Sequence, residues 1–207
     1  HLTTRRQRQM CIRDSVTAAS NGANQIWERD LDKLMNRTSN RPIPSGHLSV
    51  QTAVVIVVLL FISGTTLLWM INLKSALLGV SAFLSYVFLY TPLKTRTPWA
   101  VFVGAFPGAI PPMLGAIAAT DAFGFLPGIL FFVQFTWQFP HFWAIAWVTH
   151  DDYHKAGFQL LPSSQGKSKQ SAFQIMLYSL ALIPFSLTPW LFDWTGDTTF
   201  VVASILG

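Results

Sequence analysis

Long apolar runs separated by short polar stretches dominate this 207-residue chain. A hydrocarbon core about 30 Å thick calls for roughly 20 apolar helical residues. Five segments reach or approach that length: 48–71, 75–90, 99–119, 125–148 and 171–192. The second is short and needs its flanks to span. Residues 16–25 read as the last turns of another span, and a further one begins near Thr198. The pattern predicts an all-α, polytopic transmembrane helical bundle.

The polar loops alternate in charge. Segment 29–47 carries Arg29, Lys33, Arg37 and Arg41; segment 91–98 carries Lys94 and Arg96; segment 149–170 carries Lys155, Lys167 and Lys169. The intervening loops, 72–74, 120–124 and 193–197, hold Lys74 alone against Asp121, Asp193 and Asp197. Such asymmetry predicts that the three basic loops share the cytoplasmic face. Composition agrees: 11% of residues are charged, against about 25% in soluble domains. The net charge of +5 therefore reports topology, and a nucleic-acid surface is excluded. A single cysteine, Cys11, allows no internal disulfide.

Residues 1–15 are polar and basic, without the apolar core or cleavage site of a signal peptide. They read as a non-native or disordered leader, with residues 16–207 forming the membrane domain. Residues 200–207 look like a span cut off after two turns, so the chain reads as an internal fragment.

Asn24, Glu28 and Asp32 recur every four residues. At about 100° per residue, each step drifts only about 40°, so the three side chains share one helix face. One amide and two carboxylates in a row suit Mg²⁺, which takes oxygen ligands and completes its shell with substrate phosphates. A solvated helix end, balanced by Arg29 and Lys33, fits the same pattern, and Asp30 points away towards a neighbouring base. Arg37 and Arg41 follow, and arginine matches phosphate oxygens with paired hydrogen bonds. Lys94 and Arg96 offer further cations, or simply anchor the loop at the membrane face. Asp151 and Asp152 repel one another unless a cation or Lys155 intervenes; loop solubility also accounts for them.

His141 lies inside an apolar span, where a polar ring needs a partner. Iron ligation, proton transfer and a hydrogen bond across helices all remain open for it. Pro107, Pro111, Pro112 and Pro140 interrupt spans and either kink them or widen a cavity. Gly104, Gly108 and Gly115 permit close helix packing. No Gly-rich nucleotide loop, metal-binding cysteine set or nucleophile elbow is present.

The block from Asn24 to Asp32, followed by Arg37-Thr38 and Asn40-Arg41-Pro42, resembles the first aspartate-rich motif of the UbiA superfamily of membrane prenyltransferases. Four further blocks are similar to the haem-directed branch of that superfamily, the protohaem IX farnesyltransferases. They are Tyr90-Thr91-Pro92-Leu93-Lys94, Gly108-Ala109-Ile110-Pro111-Pro112, Pro140-His141-Phe142, and Asp151-Asp152-Tyr153 with Ala156-Gly157 and Leu161-Pro162. The resemblance covers roughly residues 16–207. It implies a nine-span bundle of which this chain holds six to seven, from the end of the second span to the start of the eighth. It also implies a bacterial cytoplasmic membrane, farnesyl diphosphate and haem B as substrates, and Mg²⁺ as cofactor.

Carried over to these residues, the family's metal ligands would be Asn24, Glu28, Asp32 and Asp152. The catalytic set would add Asp151 and His141, and the diphosphate would meet Arg37, Arg41, Lys94, Arg96 and Lys155. Two departures stand out. Glu28 occupies a place where the family commonly has Asp, and Lys155 replaces the second aspartate of quinone-directed relatives, a feature the haem branch shares. An aromatic or quinone-precursor acceptor is the first alternative. A transporter is the second, although no acidic residue lies mid-span.

Overall fold

The computed structural model describes residues 2–163, 166–193 and 195–206. Every regular element among the described residues is helical. In chain order these are α1 (Leu2–Trp27), the single turn α2 (Arg29–Asp32), α3 (Val50–Ile71) and α4 (Leu73–Leu84). A π-helical turn at Ser85–Tyr90 and α5 (Thr91–Leu93) continue α4 into one rod. Then come α6 (Ala100–Thr120), α7 (Phe125–Val148), α8 (His150–Lys155), α9 (Lys169–Ser186), α10 (Thr188–Leu191) and α11 (Asp197–Leu206).

Four stretches are long and apolar enough to cross a membrane: Val50–Ile71, Leu73–Leu93, Ala100–Thr120 and Lys169–Leu191. The short second span of the sequence reading thus gains its missing length from both flanks. The remaining expected span, 125–148, forms as the single helix α7, made less apolar by Gln134, Gln138 and His141. It packs between α6 and α9, so its position in the bundle follows from its neighbours. The backbone of α1 is helical from Leu2 onward.

Amphipathic stripes position these helices. On α3 the buried residues are Ala53, Val57, Gly64 and Leu68, one stripe at helical period. This stripe meets α1, and Gly64 lies so close to Val16 that a Cβ would sit 2.8 Å from Val16 Cγ2. The opposite side of α3 exposes Val54, Val55, Val58, Leu59 and Ile62, as a lipid-facing surface does. Ser49 caps the helix start, accepting from Thr52 N at 3.1 Å.

The core has two parts. Near the basic loops, Tyr90, Val101, Phe139, Trp143 and Leu161 pack together. Deeper, Val16, Leu68, Ala76, Ile110 and Leu114 form a second cluster between α1, α3, α4 and α6. At the far end, Lys74 pairs with Asp121 at 3.3 Å, and Asn72 donates to Ile117 O at 3.1 Å. Those contacts join segments 72–74 and 120–124 on one face, leaving the basic loops to gather on the other.

Candidate functional site

The site begins where α1 ends. Glu28 leaves the α basin, with φ −92° and ψ 8°, and separates α1 from α2. Its backbone N–H still bonds Asn24 O at 2.9 Å, and Asp32 N–H bonds Glu28 O at 2.8 Å. The four-residue relation therefore survives the break, and Asn24, Glu28 and Asp32 face inward together, all buried. Asp30 points outward to Lys33 at 3.0 Å and Arg29 at 3.6 Å, as its position on the helix required.

Lys94 comes to this row from the next basic loop. Pro92 has no N–H to give the ladder, and its ring crowds the carbonyl four residues back. The helix accommodates it by widening: Thr91 N–H bonds Tyr86 O five residues behind, the π pattern often found at functional sites. The Thr91 hydroxyl lies 2.9 Å from Tyr86 O and 3.0 Å from Asn24 Oδ1, placed to donate to either. One turn on, the Lys94 ammonium donates to Asn24 Oδ1 at 2.9 Å and to Glu28 Oε2 at 3.2 Å. It lies 2.9 Å from Glu28 Oε1 and 4.6 Å from the centre of the Tyr90 ring. Asn24 Nδ2 donates to Glu28 Oε2 at 2.9 Å. Burial holds the Lys94 ammonium below its ordinary pKa, with Glu28 and then Asp32 pulling the other way.

The loop after α2 folds back on the row. Arg41 donates to Asp32 Oδ2 at 2.9 Å, and the Thr38 hydroxyl donates to Asp32 O at 2.9 Å. Arg37 N–H donates to Asp152 Oδ2 at 3.3 Å, while Lys155 donates to Asp152 Oδ1 at 3.1 Å. The Lys155 bond, assisted by backbone N–H groups of Arg37 and Asn36, holds the Asp152 carboxyl below the usual carboxylate range. Gln159 N–H donates to Lys94 O at 2.8 Å. All three basic loops are thereby tied into one rim, with Asp32 and Asp152 on the same side of the bundle.

Not every expected residue enters the row. Asp152 has both oxygens engaged by Arg37 and Lys155, so it stitches two loops together. Asp151 is exposed and forms no ion pair among the described residues. The Arg37 and Arg96 side chains are likewise exposed and without ion pairs among the described residues. His141 is half-buried, with its ring stacked on Trp137 at 4.1 Å between centroids. Thr91, Tyr86 and Tyr90 are the participants that the motif reading quoted or passed over without a role. The Tyr90-to-Lys94 spacing, one helical turn, was the available signal for Tyr90; nothing local announces the π turn.

Beneath the polar row lies a cavity of about 180 Å³ between α1, α4 and α6. Ser20, Asn21, Tyr86 and Phe142 form its upper wall. Close approaches shape it: a Cβ on Gly104 would fall 2.6 Å from the Tyr90 ring, and one on Gly108 would fall 2.6 Å from Gln138 Nε2. Gln138 donates to Gly108 O at 3.0 Å. Two of the three singled-out glycines thus seat specific side chains, whereas Gly115 faces open space.

Among the described residues, no three His, Cys, Asp or Glu side chains gather into a metal site by themselves. The row nevertheless suits a hard cation that draws further ligands from a phosphate. Asp32 Oδ1 is buried without a hydrogen bond, and Glu28 Oε1 lies near the ammonium but outside hydrogen-bond geometry. Asn24 Oδ1, Glu28 Oε1 and Asp32 Oδ1 are oxygen donors, and the first two already face a positive charge. The residues fit Mg²⁺.

Residues 10–207 match the UbiA prenyltransferase family. The chain is 50% identical over 194 residues to a protein of Cytophaga hutchinsonii named protoheme IX farnesyltransferase, covering 93% of this chain and 68% of the relative. Proteins of the same name from Flavobacterium psychrophilum and Flavobacterium johnsoniae are 55% and 52% identical, over 87% and 88% of this chain and 60% of each relative. The chain thus spans roughly three fifths to two thirds of the length of these curated relatives. No solved structure matches it.

Proposed function

This chain belongs to the UbiA prenyltransferase family, and we propose that it forms the diphosphate-binding part of a haem-directed farnesyltransferase. The substrates are farnesyl diphosphate and haem B, and the product is haem O. Electrons of a haem vinyl group form the new C–C bond to farnesyl C1 as the C1–O bond breaks and diphosphate leaves. Water adds to the carbon left electron-poor and releases a proton.

Asn24, Glu28 and Asp32 would hold Mg²⁺, which would neutralise charge on the leaving diphosphate. Lys94 and Arg41 stand beside that row and take up further negative charge. Arg37, Arg96 and Lys155 add cationic potential at the rim. Asp152 keeps the loop of Arg37 and Arg41 against the rim. The farnesyl tail enters the cavity below, where the Tyr86 and Phe142 rings face the developing allylic cation and exclude water. His141, a polar ring on an aromatic stack, is assigned to the porphyrin side. The rim faces the cytoplasm, in keeping with its basic loops.

One observation carries this reading. Buried carboxylate oxygens without hydrogen bonds lie amid cations contributed by separate loops, directly above an apolar cavity. Replacing Asp32 with Ala should lower haem O formation about 10²–10³-fold, the usual loss when one charge-stabilising group goes, with membrane insertion unchanged. Undiminished product from that variant would overturn the assignment.

A further inference from the structure

The deep end of the cavity carries a feature that the diphosphate chemistry does not use. Leu68 of α3 and Gly79 of α4 both line it. Leu68 is 1% exposed, and a Cβ on Gly79 would fall 2.5 Å from Leu68 Cδ1. Leu114 of α6 lines the same end and packs with Leu68 and Val16 in the deeper core cluster. The polar row lies well above. Val16 and Asn24 are eight residues apart on α1, an axial distance of about 12 Å at 1.5 Å per residue. On α6, Gly104 touches the level of Tyr90 while Leu114 is ten residues deeper, about 15 Å. A chain anchored by its head at Asn24, Glu28 and Lys94 therefore runs down towards Leu68.

We propose that the Leu68–Gly79 contact is the floor of the prenyl cavity and selects donor chain length. The inference rests on the prenyl transfer proposed above. Absence of a side chain at Gly79 lets Leu68 lie flat across the end. A methyl group there displaces Leu68 and removes space, whereas truncating Leu68 opens the floor towards Ala76. Apolar pockets discriminate by occupancy, so the two changes act in opposite senses on long and short donors.

The test supplies the protein with Mg²⁺, haem B and an equimolar mixture of geranyl, farnesyl and geranylgeranyl diphosphates, and separates the prenylated haems by mass. Leu68→Ala should raise the ratio of twenty-carbon to fifteen-carbon product by about tenfold or more, the scale on which hydrophobic pockets distinguish neighbouring chain lengths. Gly79→Ala should shift the ratio of ten-carbon to fifteen-carbon product upward on the same scale. General loss of packing would lower all products together, so only opposed shifts support the floor. Ratios within twofold of the unmodified protein, or both variants moving the same way, overturn it. Lack of prenylated haem from the unmodified protein with all three donors overturns the farnesyltransferase reading itself, and the floor with it.

Discussion

Replacing Lys94 with Met removes the cation that, among the described residues, reaches both Asn24 and Glu28. Lys94 and Glu28 are 9% and 4% exposed at their side chains, with 2.9 Å between Nζ and Oε1. At that separation the attraction is about 6 kcal/mol for an effective dielectric of about 20. Much of it offsets the cost of taking both charges out of water, and here burial outweighs the pull of Glu28 on the Lys94 proton. The intact pair therefore contributes little net stability. Its removal on one side is another matter. Lys94→Met leaves the Glu28 carboxylate buried, retaining only the Asn24 amide at 2.9 Å, and stranding one member of such a pair costs about 3–5 kcal/mol. The companion variant Glu28→Gln removes the stranded charge. Lys94→Met combined with Glu28→Gln should therefore return to within about 1 kcal/mol of the native protein, since neutral replacements of buried pairs are often tolerated. Equilibrium unfolding by SDS in mixed micelles, run on all four proteins, measures the coupling directly. A loss below about 1 kcal/mol for Lys94→Met, or a coupling below the roughly 0.5 kcal/mol typical of independent sites, would refute the buried-pair argument.

Four further outcomes follow from the same geometry. Because the folded pKa of Lys94 lies below its ordinary 10.5, the unfolded chain keeps that proton to higher pH. Stability relative to Lys94→Met should therefore rise as pH climbs through the folded value and level off above 10.5, as pH-resolved unfolding would register. For Asp152 the sign is opposite: its depressed pKa contributes stability above 3.8 that is lost as pH falls through the folded value. The advantage over Asp152→Asn should vanish in acid. Gly104→Ala forces a Cβ to 2.6 Å from the buried Tyr90 ring; overpacking of this kind costs about 1–3 kcal/mol and should lower the melting temperature. Chelation of divalent cations should abolish haem O formation, and readded Mg²⁺ should restore it; turnover persisting in chelator would exclude the metal role.

The four-residue spacing of Asn24, Glu28 and Asp32 determined a shared face because helical geometry is local, and it held even across the break at Glu28. The apolar runs set the membrane-spanning helices for a similar reason: bilayer thickness fixes their length whatever their partners. Loop charge sorted the two ends of the bundle before any contact was known. What the chain's order of residues left open was which polar groups meet. Lys94 and Arg96 are two residues apart and equally basic, yet one is buried against Glu28 and the other faces solvent. Which of the two turns inward is decided by where Asn24 and Glu28 of α1 lie, and Lys94 is the one that meets them. Likewise Asp152 meets Lys155 one helical turn on, as the spacing allows, but its bond from the Arg37 backbone N–H comes only from the fold of that loop. Residues 68 and 79 meet because α3 and α4 fold back on one another at Asn72. Pairing across helices is a property of packing, and packing is decided by the tertiary structure alone.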